Sequence, residues 1–193
     1  MKNRKLIWIT YTAVLIALIV LAQLLTRVIP PVLIGPFHAQ QLITGSLVNL
    51  VLVVGALVPG FSCAATAALL SPVFAALFGI LPGGQPMMIP VVMAGNLVLV
   101  FVVWVFGRAS NGLEPYAGVM LSILGVLAGA ALKQYVLQNG TERLVIPLLH
   151  LKGKPALLLT TAMTTPQLIT AVVGGLLALL LMPALRSFKK GRR

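Results

Sequence analysis

Six stretches of mostly apolar residues follow one another along the chain, at 6–29, 42–58, 61–81, 87–107, 114–138 and 155–183, with Pro, Gly and charged residues between them. The second is short and has a polar lead-in from Phe37. A helix needs about 20 predominantly apolar residues to cross the hydrocarbon core, and there every backbone N–H and C=O has to be paired within the segment. The pattern therefore predicts an all-α integral membrane protein with six transmembrane helices in a compact bundle, a single transmembrane domain over 1–193. Only Pro59 and Gly60 separate the second run from the third, which predicts an antiparallel hairpin. The first run is longer than the apolar core of a usual signal peptide and lacks a clear small-residue cleavage site, so it reads as a span.

Charge orients the bundle. Six spans put both termini on one side, where Lys2, Arg4, Lys5, Arg186, Lys189, Lys190, Arg192 and Arg193 lie, and Arg108 falls in a loop on that same side. The other side has Arg27, Arg143, Lys152 and Lys154. Cytoplasmic segments retain Lys and Arg, so both termini are expected in the cytoplasm. The chain is 60% hydrophobic and 8% charged, yet its formal net charge is +12. Because the basic residues flank a hydrophobic bundle, anionic lipid headgroups account for them, and no nucleic-acid partner is expected.

Polar residues within the spans are distributed unevenly. The outer ends hold His38, Gln40 and Gln41 before the second span, Gln85 before the fourth, Lys133, Gln134 and Gln138 late in the fifth, and Thr160, Thr161, Thr164, Thr165 and Gln167 early in the sixth. Polar side chains in a membrane usually face a bundle interior or a cavity, so this asymmetry predicts a pocket open to the outside and closed toward the cytoplasm. At 100° per residue His38, Gln41, Gly45 and Asn49 fall on one stripe of the second helix; Thr160, Thr164 and Gln167 share a face of the sixth. Asn96 sits mid-way along the fourth. The candidate substrate-binding residues are thus His38, Gln41, Asn49, Gln85, Asn96, Lys133, Gln134, Thr160, Thr164 and Gln167. Interhelical hydrogen bonding is the competing reading for the Asn and Thr residues. For Lys133 the competing reading is snorkelling to the headgroups; the functional one pairs its ammonium with a carboxylate or phosphate of a ligand.

Several chemistries are missing. Glu114 and Glu142 are the chain's two acidic residues and both lie in or beside loops, which leaves no intramembrane carboxylate for a proton or sodium relay. There is no Gly-rich phosphate loop with its Lys, no carboxylate pair for acid and base work, and no nucleophile elbow around Ser62. His38 and His150 stand on separate segments and Cys63 is the single cysteine, so no catalytic residue, metal site or cofactor is expected. Any uphill transport would draw its energy from another subunit.

Small residues indicate where helices approach closely. Ala13 and Ala17 form a small-xxx-small pair among bulky Leu, Ile and Val on the first helix. Gly125 with Gly129, and Gly174 and Gly175 with Ala178, make similar regions on the fifth and sixth, where internal packing competes with an external interface.

The combination resembles the substrate-binding S component of energy-coupling factor (ECF) transporters, bacterial vitamin importers in which two ATPases and a transmembrane T component energise a small capture subunit. The resemblance covers the whole chain: its length, six helices, cytoplasmic termini and the Ala13, Ala17 pair, which in that family packs on the T component. Gly45-Ser-Leu-Val-Asn49, the 70–80 segment and Gly95-Asn96 look like the less characterised S components. The resemblance implies a multi-pass protein of the bacterial cell membrane that is not an enzyme. It implies capture of a small-molecule substrate by the loops after the first, third and fifth helices, then toppling of the subunit to release it inside. Few aromatics occupy the outer halves, chiefly Phe37, Phe74, Phe78 and Tyr135, which disfavours a large planar ring system. A small, anionic carboxylate of the pantothenate kind is the expected substrate. The competing classes are an integral membrane enzyme of lipid metabolism and a small channel or structural membrane protein.

Overall fold

Leu, Ile, Val and Ala dominate the long runs, and in the computed structural model, which describes residues 2–30, 32–34, 37–81 and 84–190, each run winds into helix. Helix α1 is Lys2–Leu25, α2 Ala39–Leu57, α3 Phe61–Leu77, α4 Met88–Ala109 and α5 Pro115–Gly140. A wide π turn over Thr141–Val145 continues α5 into the single-turn α6, Ile146–Leu148. The chain then returns through α7, Lys154–Met163, and α8, Thr165–Lys190. The result is an all-α multi-pass bundle of six passes, the last made jointly by α7 and α8. Five passes are long and apolar enough to cross a membrane; α3, at 17 residues, is shorter. Arg192 and Arg193 lie outside the described residues.

The connections have local causes. Between α2 and α3, Gly60 takes φ 106°, a left-handed conformation that glycine adopts without a Cβ clash, and its N–H bonds back to Gly55 O. The expected hairpin follows. Helix α3 ends at Leu77 rather than at 81, because Gly79 (φ 66°) closes it: Gly79 N bonds Ala76 O and Ile80 N bonds Ala75 O, the paired bonds of a Schellman cap. After α1 the chain forms a small antiparallel ribbon, β1 (Leu33–Ile34) with β2 (Phe37–His38), pairing Leu33 with His38. No alternating pattern in the sequence announces it.

The sixth run departs most from expectation. It is not one helix: α7 stops at Met163 and α8 begins at Thr165, with Thr164 at φ −104°, ψ −103° between them. Pro166 is the cause, since it has no N–H and its ring clashes with the carbonyl four residues back, that of Ala162. Thr160, Thr164 and Gln167 consequently do not share a helical face.

Packing joins the passes into two apolar clusters. The larger holds Leu15, Ile19, Leu52, Val53, Ala64, Leu99, Val100 and Val126 and fills the half of the bundle nearer the termini. The smaller, with Met88, Val91, Leu137, Leu159 and Met163, gathers where α4 begins, α5 ends and α7 covers that end. The α4–α5 and α2–α8 pairs are the most extensive contacts. Glycines permit both: a Cβ at Gly129 would lie 3.1 Å from Leu99, and one at Gly174 would lie 2.8 Å from the backbone N of Leu50. Gly125, Gly129, Gly174 and Gly175 thus serve internal packing. Ala13 and Ala17 differ, being exposed on the outer face of α1. Cys63 is buried against that helix, its Sγ 3.8 Å from Trp8 O.

Candidate functional site

The outer polar residues converge because the helices alternate in direction: α1, α3 and α5 end where α2, α4 and α8 begin. At that end lies a cavity of about 340 Å³ with walls from all six passes. Six of the residues expected at a site line it, namely His38, Gln41, Asn49, Asn96, Lys133 and Gln167.

Lys133 is the centre of its chemistry. On α5 the buried residues Val126, Gly129, Ala130, Lys133 and Leu137 recur at helical spacing and make one inward stripe. Gly95 on α4 faces this stripe, and a Cβ there would lie 3.4 Å from Lys133 Cγ, so the lysine stem runs tightly along α4. Only 3% of Lys133 is exposed, and its Nζ donates to Asn49 Oδ1 at 2.6 Å. The ammonium therefore points into the bundle and not out to the headgroups as snorkelling would have it. Asn49 is held in turn by α8, its Nδ2 donating to Thr170 Oγ1 at 3.3 Å, and Thr170 Oγ1 donates to Gln167 O. Gly45 makes room for this: a Cβ there would come within 2.8 Å of Thr170 Cγ2.

Asn96 on α4 is 2% exposed and lines the cavity, and its carboxamide makes no hydrogen bond to another described residue. Neither glutamate is in the lining. Glu142 sits beyond the end of α5, where Gln138 Nε2 donates to it at 3.2 Å. The cavity thus presents one buried cation, uncommitted amide groups and no negative charge.

The remaining candidates lie elsewhere. Gln85 joins Phe37, Leu159 and Ala162 around a second, outer recess, which shares His38 and Gln41 with the main cavity. Gln41 stands between the two and donates from Nε2 to Ala162 O at 2.9 Å, the carbonyl that Pro166 leaves without a helical donor. Gln134 is rotated off the inward stripe of α5 and is absent from both linings, as are Thr160 and Thr164. Thr164 spends its hydroxyl on Thr161 O.

Other lining residues were not among the candidates, although Gln40 had been noted with the outer polar residues. Gln23 and Thr26 continue the buried stripe of α1 that begins at Thr12, Leu15 and Ile19. Gln23 Nε2 donates to Ser71 O on α3 at 3.0 Å, while its buried Oε1 has no partner among the described residues. Thr26 Oγ1 and Thr44 Oγ1 are hydrogen bonded, and Gln40 Nε2 reaches Ile29 O at 2.6 Å. The helical phase of Gln23 was the available signal. No family model, curated protein or solved structure matches the chain; its sequence and structure together show a helical multi-pass membrane protein.

Proposed function

We propose that this chain is the substrate-binding subunit of an ECF-type importer. It captures a vitamin or related small metabolite from outside and passes it inward through a T component driven by two ATPases; the chain itself is not an enzyme. One observation carries this reading: a polar cavity of metabolite size opens toward one end of a membrane bundle whose other half is filled by apolar side chains. A channel would need polarity through the whole span. A lipid-modifying enzyme would need a catalytic cluster near the cytoplasmic face, where polar side chains are fewest. Of the three loops expected to capture the ligand, those after α1 and α3 contribute His38, Gly79, Ile80 and Leu81 to the lining, whereas the connection after α5 contributes only Leu151, to the second recess.

The partner surface in this reading is the outer face of α1, where exposed Ala13 and Ala17 leave a shallow groove between larger residues such as Val14 and Leu18. Co-expression with a T component and two ATPases, followed by purification through a tag on this chain, tests it. A complex of all four subunits is expected. Replacing both alanines, Ala13→Trp with Ala17→Trp, is expected to abolish the complex and leave ligand binding by the isolated chain intact. Recovery of the T component at wild-type yield with the double variant overturns the assignment of this surface.

A further inference from the structure

We infer that the cavity takes a small organic monocarboxylate whose anionic oxygen replaces Asn49 Oδ1 on Lys133, with Asn49 serving as a neutral placeholder between captures. The inference deepens the capture reading above and rests on it.

A lysine ammonium has three N–H donors, and burial strips it of water. Lys133 has found a single acceptor among the described residues, and that acceptor is a carboxamide rather than a carboxylate. The chain's two glutamates are both outside the cavity lining, so no described residue neutralises the charge there. Structural buried cations are normally paired. A ligand carboxylate would complete the pair.

Asn49 is built to release the lysine without loss of position. Its amide nitrogen is tied to Thr170 on α8, independently of Lys133, so the side chain stays in place when its oxygen is vacated. A second donor lines the same cavity, because the carboxamide of Asn96 makes no hydrogen bond to another described residue and is free to meet a further acceptor on the ligand. The stoichiometry of charge selects the class. One ammonium balances one negative charge, and no arginine lines the cavity to hold a phosphate dianion through paired N–H bonds. At about 340 Å³ the space is near the lower end of the range for ligand pockets.

The test uses the purified full chain in lipid nanodiscs and matched pairs that differ in charge: pantothenate with pantothenol, nicotinate with nicotinamide, biotin with biotinamide and lipoate with lipoamide, with thiamine as a cationic control. Thermal unfolding is followed at graded concentrations. At least one acid is expected to stabilise the chain, with its neutral partner about tenfold weaker or more. Lys133→Met is expected to abolish the preference for the acid. Asn49→Asp gives Lys133 a permanent internal carboxylate, so this variant is expected to unfold no lower than wild type without ligand while losing the response to acids. It keeps the question open to measurement if Lys133→Met does not fold. Acid binding that survives Asn49→Asp, or stabilisation only by neutral or cationic compounds, overturns the monocarboxylate assignment and leaves the capture reading standing. A chain that no compound of any charge stabilises counts against both.

Discussion

Pro166 and Gln41, on different passes, act as one unit. Proline removes a helical donor from Ala162 O, and Gln41 supplies the replacement from α2, tying α7 to the mouth of the cavity. The expected consequence is coupling. Gln41→Ala is expected to lower stability by about 0.5–1.5 kcal/mol, the usual net worth of such a bond. In a Pro166→Ala background the restored N–H competes for the same carbonyl, and the loss is expected to shrink. A double-mutant cycle by thermal unfolding reads the difference; an identical loss in both backgrounds counts against the link. The same residues show why the sixth run was misread. Thr160, Thr164 and Gln167 share a face only on an unbroken helix, and the Thr-Thr-Pro sequence at 164–166 was read as polar positions within one continuous helix rather than as a break. Lys133 was visible as a candidate, but its direction was not: the sequence left snorkelling open, and the inward stripe it shares with Gly129 and Ala130 became clear only once those residues were seen to be buried.

Helices were well specified by the length and hydropathy of their runs, the break in the sixth excepted, whereas which helices pair was not legible, although their close approach depends on where glycine falls. At Gly174 a Cβ would lie 2.8 Å from Leu50 N and 2.9 Å from Asn49 Cβ, and the backbone on the far side cannot rotate away. Gly174→Val is therefore expected to force α8 off α2 and cost about 1–3 kcal/mol, typical of an overpacked core. Ala13→Val, on the exposed face of α1, is expected to leave the isolated chain's stability within about 0.5 kcal/mol of wild type. Equal melting temperatures for the two variants would refute this division between internal and outward-facing small residues. What the sequence could not convey was the double use of α1. Its outer face was read for a partner, which drew attention from Thr12, Gln23 and Thr26 on the inner stripe, two of which reach the cavity wall. The ribbon that carries His38 to the mouth was equally silent, since two residues per strand are too few to set a period.

At the scale of the molecule, polarity is separated along the bundle axis. The end that carries the termini is closed by apolar packing and bordered by aromatics: Phe61 packs against Phe101 and Trp104 at centroid distances of 5.8 and 5.5 Å, and the Arg108 guanidinium lies 5.2 Å from the Trp104 ring centre. Aromatic side chains beside a cation are favoured at a membrane–water boundary, and on the proposed reading the excess of basic residues at this end makes it the cytoplasmic one. The cavity, at the other end, is then expected to face outward, as the proposed capture from outside requires. Single cysteines in a Cys63→Ala background test the orientation in intact cells. Lys152→Cys, in the connection between α6 and α7, is expected to react with a membrane-impermeant maleimide added outside. Asn111→Cys, in the connection between α4 and α5, is expected to react only after the cells are permeabilised. The reverse pattern would turn the cavity toward the cytoplasm, and with it the direction in which this chain is proposed to capture its ligand.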